Sequence, residues 1–345
     1  MLSTSPNLNL PSGASLVSDA DEEIFLLYTK KQQASIRLSA LTAAQQGREG
    51  GLGINSDSGD LLELSLSIEN PWRKVEDETK RKKGKKVQGK AKELIEVEVE
   101  LHQSLNALRN RAGDTGSVLW RLSLHFAKFF LTSHHFPHPS FPFLLPNLST
   151  SSILELGSGT GFLGIVLRSI FAKSPSDFKW TFSDQLDNLP LILRNLQTNS
   201  LDSSPSYSIV ELDWIQQSQE YLSNPSLVTR ESPSFPNLIF AVDCIYNPSL
   251  SAPLVHTILH NSGPETIVVV VSELRESEAL ETFLSTWLEE GEKRFQGFDW
   301  KVARLDWEQE GGEDGKSYRE RVVGDLGDSE FVVWIVWCDT RAGEE

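Results

Sequence analysis

The chain has 345 residues, 39% of them hydrophobic, enough to bury the core of one large domain or two ordinary ones. No apolar run reaches the ~18 residues of a membrane span, and the opening "MLSTSPNLNL" lacks a charged start followed by an apolar stretch, so a cytoplasmic home is expected, with a nuclear one also open. A formal charge of -16 disfavours binding nucleic acid over a broad basic face and favours a basic protein as partner. Cys244 and Cys338 lie in apolar runs and read as reduced, buried thiols, neither a disulfide nor a metal site.

In chain order, Met1 to Leu10 reads as a polar tail, and Glu22 to Leu41 spaces its apolar residues as a helix does. "LLELSLSI" and "IEVEVELH" alternate apolar with polar residues, predicting two half-buried strands over Leu62–Ile68 and Ile95–Leu101. Between them "KRKKGKKVQGKAK", Lys80 to Lys92, reads as a solvated hairpin insert, with a nuclear signal or RNA contact as the alternative. In "TSHHFPHPSF", three histidines among prolines fit a surface loop better than a metal site.

From Ser152 onward apolar strands alternate with amphipathic helices, the pattern of a mainly parallel sheet covered on both faces. Seven strands are expected: Ile153–Leu156, Trp180–Ser183, Ser208–Leu212, Leu238–Val242, Thr266–Val271, Lys301–Leu305 and Phe331–Trp337. Helices fit Phe162–Phe171, Asp187–Asn199, Leu250–His260 and Ser277–Glu290. A charged, glycine-rich loop over 308–330 joins the last two strands without a helix, so those two should be antiparallel.

The stretch "SSILELGSGTGFLGIVLRSI" carries the first functional signal. Gly157, Gly159 and Gly161 after a parallel strand let a ligand approach bare backbone at the opening of a helix. Gly159, Gly161 and Gly164 also spell G-x-G-x-x-G, so the loop alone does not separate a nicotinamide dinucleotide from S-adenosylmethionine. Glu155 shifts the balance, because a carboxylate would be repelled by a pyrophosphate but attracted by a sulfonium donor. Asp184 ends the second of the seven strands, where a carboxylate can take both ribose hydroxyls or cap the next helix. Trp214 closes the third in "ELDW" and reads as a stacking platform for adenine or as core.

"FAVDCIYNPSL" ends the fourth strand and places Asp243 and Tyr246 where open α/β sheets hold their chemistry. Its two middle residues, Cys-Ile, replace the Pro-Pro expected of an enzyme acting on exocyclic base nitrogens. As candidates for catalysis, the carboxylate attracts a lysine ammonium and the phenol helps orient the amine; the alternative makes Asp243 a helix cap and Tyr246 packing.

Together, "ELGSGTG", the Asp-Gln after the second strand, "LDW", "DCIY" and the upstream "GDTGSVLWRLSLHFAKFF" resemble the seven-stranded S-adenosylmethionine-dependent protein-lysine methyltransferases with a D-x-x-Y motif. The wording "RAGDTGSVLW" and "SELRESEALETFLSTW" is most similar to the fungal ribosomal lysine N-methyltransferase 5 group. The resemblance implies an α/β, Rossmann-like sheet with its last strand antiparallel, a methyltransferase domain over 113–345, and an extension over 1–112 built of a β-hairpin and helix. It implies cofactor contacts from Trp120, Gly157, Ser158, Gly159, Asp184, Trp214 and Val242, the last through its backbone. It further implies a monomeric enzyme that adds one methyl to a lysine of a large-subunit ribosomal protein; a lysine on an elongation factor or chaperone is the alternative. A nicotinamide oxidoreductase and a non-catalytic binding module are the more distant readings. Val before Asp243 and Arg121 after Trp120 depart from the family's usual residues, which leaves a substrate role for position 121 unsupported.

Overall fold

The computed structural model describes residues 8–11, 13–41, 59–72, 94–110, 115–138, 145, 152–171, 179–202, 204, 206–223, 235–294, 298–305 and 331–340. The basic insert at 80–92 and the loop at 308–330 lie outside the described residues.

In chain order the elements are β1 (Ser15–Val17), α1 (Ala20–Leu41), β2 (Leu61–Glu69), β3 (Leu94–His102), α2 (Leu105–Asn110), α3 (Arg121–His135), β4 (Ser152–Leu156), α4 (Phe162–Phe171), β5 (Lys179–Asp184), α5 (Leu189–Thr198), β6 (Tyr207–Glu211), α6 (Trp214–Ser223), β7 (Leu238–Val242), α7 (Pro248–His260), β8 (Ile267–Glu273), α8 (Ser277–Arg294), β9 (Phe298–Arg304) and β10 (Phe331–Thr340). No helix among the described residues is long and apolar enough to cross a membrane.

The main sheet runs β1-β9-β10-β8-β7-β4-β5-β6. β6, β5, β4, β7 and β8 pair in parallel, while β10 lies antiparallel between β8 and β9. The class is therefore the expected one, α/β with the final strand reversed. The central strands read as nearly unbroken apolar runs because both of their faces are covered. Alternate residues divide between two cores: Phe240, Val269 and Val271 join one, and Ile239, Ala241, Val268 and Val270 the other.

Two features correct the sequence reading. Among the described residues the main sheet has eight strands, not seven, because Ser15–Val17 pairs antiparallel with β9 in the register Ser15↔Arg304 to Val17↔Val302. Three residues carry too little alternation to announce a strand; tertiary contact fixes this one. Asp19 then accepts the Glu22 amide at 2.8 Å at the start of α1. Glu23, in the same first turn, pairs with buried Arg304 and accepts Trp334 Nε1 at 3.0 Å, binding α1 to the sheet.

The second correction is α6, which the sequence helices omit. Its stretch "WIQQSQEYLS" is mostly polar, and the helix is started instead by Asp213, whose carboxylate accepts the amides of Ile215 and Gln216 at 2.8 and 3.1 Å. The helix expected from Asp187 begins with a 3₁₀ turn over Leu186–Asn188 before α5 proper.

The hairpin β2–β3 forms its own two-stranded sheet, yet Leu62, Leu66, Val99 and Leu101 join the same core as Phe126 and Ile153. Asn195 of α5 locks it further, accepting the His102 amide at 2.6 Å and donating to the His102 carbonyl at 2.9 Å. The hairpin thereby supports the segment over 115–120 that closes one side of the site described next.

Candidate functional site: a cavity at the carboxyl ends of the parallel strands

The loop from β4 into α4 is fixed by hydrogen bonds to its neighbour strand. Ser158 N donates to the Ser183 carbonyl at 3.0 Å, Ser183 N donates back to Ser158 Oγ at 3.0 Å, and Ser183 Oγ donates to the Glu155 carbonyl at 2.7 Å. The Ser158 hydroxyl therefore serves the scaffold, although the residue lines the cavity.

Two glycines here are required by geometry. Gly157 has φ +61, and a Cβ on it would stand 3.0 Å from Cys244 Sγ and 3.3 Å from the Trp214 ring. Gly159 has φ +56, and its Cβ would stand 3.0 Å from the Gly116 carbonyl oxygen. Gly164, by contrast, sits inside α4, where a Cβ would meet Phe182 at 2.5 Å and Trp180 Nε1 at 2.7 Å. The last glycine of the G-x-G-x-x-G spelling is thus a helix-to-strand packing residue.

Asp184 closes β5 with its carboxylate turned to the loop. Oδ2 accepts Gly159 N at 2.7 Å, while Oδ1 accepts Gln185 N at 2.8 Å and Asn188 Nδ2 at 2.9 Å. In the upstream segment, Trp120 Nε1 donates to the Thr115 carbonyl at 2.8 Å, and Thr115 Oγ1 donates to the Tyr246 hydroxyl at 3.1 Å. That segment therefore bridges from the glycine loop, at Gly116, to the end of β7, at Tyr246.

Asp243 follows β7 with φ +60, a left-handed conformation that is uncommon outside glycine. Its Oδ1 pairs with Arg275 Nη2, and its Oδ2 is buried without a hydrogen-bond partner among the described residues. The Arg275 guanidinium lies 5.0 Å from the centre of the Trp120 ring and its Nε 3.3 Å from Glu273 Oε2.

All ten residues marked from sequence line one cavity: Trp120, Glu155, Gly157, Ser158, Gly159, Asp184, Trp214, Val242, Asp243 and Tyr246. Residues 100–290, a stretch that contains all ten of these residues, match the lysine methyltransferase family. The chain belongs to the lysine methyltransferase family.

Among its relatives, the chain is 33% identical over 189 residues to a Schizosaccharomyces pombe protein named diaminohydroxyphosphoribosylamino-pyrimidine deaminase, a match covering 54% of this chain and 41% of that one. The chain thus spans less than half the length of that relative. It is 25% identical over 307 residues to ribosomal lysine N-methyltransferase 5 of Kluyveromyces lactis, covering 76% of this chain and 88% of that one. Among solved structures, a SAM-dependent methyltransferase from Streptococcus mutans aligns at 14% identity and a TM-score of 0.39, covering 70% of this chain and 53% of that one.

The electrostatics of the cavity follow from burial. Glu155 is enclosed beneath the loop, which pushes its carboxyl up to about 8, although Trp180 Nε1 donates to its Oε2 at 2.8 Å and opposes the rise. Burial likewise raises Asp243, with Arg275 opposing and Glu273 reinforcing. Tyr246 is raised by burial against the lowering hydrogen bond from Thr115. The Cys244 thiol, in contact with the Leu156 carbonyl at 3.3 Å, is pushed far up by burial and neighbouring carboxylates, which suits a packing residue.

Sequence reasoning missed Thr115, Asn188 and Arg275. Thr115 lay within a quoted segment, but nothing in its letters says that its hydroxyl reaches Tyr246, 131 positions away. For Arg275 the available signal was position: it lies just past the end of β8, the strand beside β7, on the edge where the parallel strands place their chemistry.

Proposed function

We propose that this methyltransferase binds S-adenosylmethionine in the cavity and moves its methyl group to a lysine side chain of a protein. The observation that carries the reading is the convergence on one cavity of a bare glycine loop, the Asp184 carboxylate, the Trp214 ring and the buried, half-satisfied Asp243 carboxylate.

The residues fit such a donor. A Cβ at Gly157 would press on Cys244 and the Trp214 ring and one at Gly159 on the Gly116 carbonyl, so the absence of side chains lets the loop lie close against the cavity walls, where a donor would meet its backbone. Asp184 would take the ribose hydroxyls through lone pairs left beside its loop contacts, Trp214 and the Val242 backbone would flank the adenine, and Trp120 would border the amino-acid end. The donor supplies a methyl carbon on a positively charged sulfur, open to attack by an amine. What the chain's own residues add is placement and charge. Glu155, neutral in the donor-free protein at pH 7, becomes favourable as an anion next to a cation. Asp243 draws the lysine ammonium into a desolvated pocket and, once the ammonium has released a proton to solvent, accepts an N–H hydrogen bond from the neutral amine at a carboxylate oxygen, and the Tyr246 hydroxyl limits the amine's approach.

The substrate we propose is a basic protein, in particular a large-subunit ribosomal protein receiving a single methyl on one lysine. The excess of acidic residues, at -16, supports a basic partner, and the relative of which 88% is covered is named a ribosomal lysine methyltransferase. The same reading places a monomeric enzyme in the cytoplasm. To test it, the full chain is incubated with methyl-labelled S-adenosylmethionine and either purified ribosomal subunits or a ribosome-depleted extract. Label recovered as monomethyllysine on a 60S protein supports the proposal; label on an elongation factor or chaperone keeps the chemistry and moves the target; label on glutamine, arginine or an RNA base overturns it.

A further inference from the structure

Asp243 is held by a side chain that no sequence motif marked. Arg275 stands two residues past the end of β8, and its amide donates to the Glu273 carbonyl at 2.9 Å in a tight turn. The turn brings the side chain over the end of the neighbouring β7. There its guanidinium meets three groups: Asp243 Oδ1 through Nη2, Glu273 Oε2 through Nε at 3.3 Å, and the Trp120 ring at 5.0 Å. A planar fork with in-plane donors and a stacking face suits those contacts, and a lysine ammonium would not.

The pairing leaves Asp243 unequal at its two oxygens. Oδ1 is taken by Arg275, while Oδ2 is buried with no hydrogen-bond partner among the described residues. A buried acceptor left unmet costs about 1–3 kcal/mol, and a non-glycine left-handed backbone adds a cost of the same order. Both costs fall on one residue that lines the cavity. An N–H arriving with a ligand would remove the first of them.

We propose that Arg275 is a positioning residue of the methyl-transfer site, holding Asp243 Oδ1 so that Oδ2 is the atom that receives an N–H of the incoming lysine. The inference rests on Asp243 being the lysine-facing carboxylate of the proposed function. Ionisation follows the same contact. Burial raises Asp243, and Glu273 on β8 raises it further, whereas Arg275 lowers it. Asp184, Cys244 and Tyr246 also face this corner, and each is neutral or negative, so the lowering influence on Asp243 comes from Arg275. Stacking on Trp120 ties the same guanidinium to the donor side of the cavity.

The experiment compares Arg275→Gln, Arg275→Lys and Asp243→Asn with wild type in single-turnover methylation from pH 6 to 9, beside melting curves and donor titrations. The ratio of variant to wild-type rate cancels the titration of the substrate amine, which both proteins share. For Arg275→Gln that ratio should fall on going from pH 9 to pH 6, because the carboxylate protonates at higher pH once its cation is gone. Arg275→Lys keeps a charge but not the fork, so its ratio should be nearly flat with pH at a turnover lowered roughly tenfold. A flat ratio for Arg275→Gln at any level, or wild-type rates in either variant, overturns the inference. Should Arg275→Gln fail to fold, Arg275→Lys decides alone, and wild-type turnover there overturns the claim. Asp243→Asn separates the two proposals: an inactive variant beside a flat Arg275→Gln ratio defeats only the role of Arg275, while an active one removes the lysine-facing assignment on which it depends.

Discussion

Replacing Gly159 with alanine isolates the contribution of the bare loop. Two costs follow from its geometry. A side chain at φ +56 carries a penalty of about 1–2 kcal/mol. The new methyl would also stand 3.0 Å from the Gly116 carbonyl oxygen, with Gly116 Cα at 3.6 Å, so the backbone at 116 must retreat by a few tenths of an ångström. Gly116 lines the cavity itself, with Thr115 before it and Trp120 four residues on, so the displacement is delivered to the cavity wall. The Gly159 amide also donates to Asp184 at 2.7 Å, and a shifted loop weakens that contact. We expect a stability loss of about 1–3 kcal/mol, a few degrees in melting temperature for a domain of this size, and a loss of donor affinity of roughly tenfold or more. Thermal melting and titration calorimetry with S-adenosylmethionine read the two effects separately. Gly164→Ala is the control, since its methyl would press on Phe182 and Trp180 in the core, costing stability with a smaller effect on affinity. Unchanged donor affinity in Gly159→Ala, or the same ratio of affinity loss to stability loss in both variants, refutes the reasoning.

The parallel strands were legible because burial on both faces writes itself as short apolar runs, as in "LIFAV" and "IVVVVSE", and because glycines and carboxylates at the strand ends mark where the chemistry sits. What the sequence hid depends on distant partners. Ser15–Val17 becomes a strand only when β9 lies beside it, and Trp214–Ser223 becomes a helix through Asp213 and packing on α7 more than through its own pattern. The position of Glu155 was legible, but its state was not: an argument from a charged carboxylate meets an enclosed carboxyl raised to about 8, so the charge is conditional on a nearby cation. Arg275 escaped for the same reason, since an arginine in "SELRESEAL" acquires meaning only when β8 is set beside β7 and the guanidinium is found on Asp243.

Asp243→Asn should lower turnover roughly a hundredfold or more while donor affinity stays within a few-fold, read by single-turnover methylation beside calorimetry; a joint collapse would make Asp243 a cofactor or structural residue. Glu23→Ala should cost about 3–5 kcal/mol by removing the carboxylate that pairs with buried Arg304 and accepts Trp334 Nε1, and denaturant melts that show less than ~1 kcal/mol would detach α1 from the sheet's stability. Glu155→Gln tests the enclosed carboxyl. Its folded value of about 8 lies above the ordinary 4.5, so between those two pH values the folded protein holds a proton that the unfolded chain has released. Stability from this group is full below about pH 4.5 and is lost as pH rises toward 8, on the order of a few kcal/mol in total. Glutamine keeps an acceptor for Trp180 and cannot ionise, so the melting temperature of the variant minus that of wild type should climb from pH 5 to pH 8.5 in the absence of donor. A difference that stays constant across that range would mean that the carboxyl is charged in the folded protein at neutral pH, and the conditional charge assigned to Glu155 would be wrong.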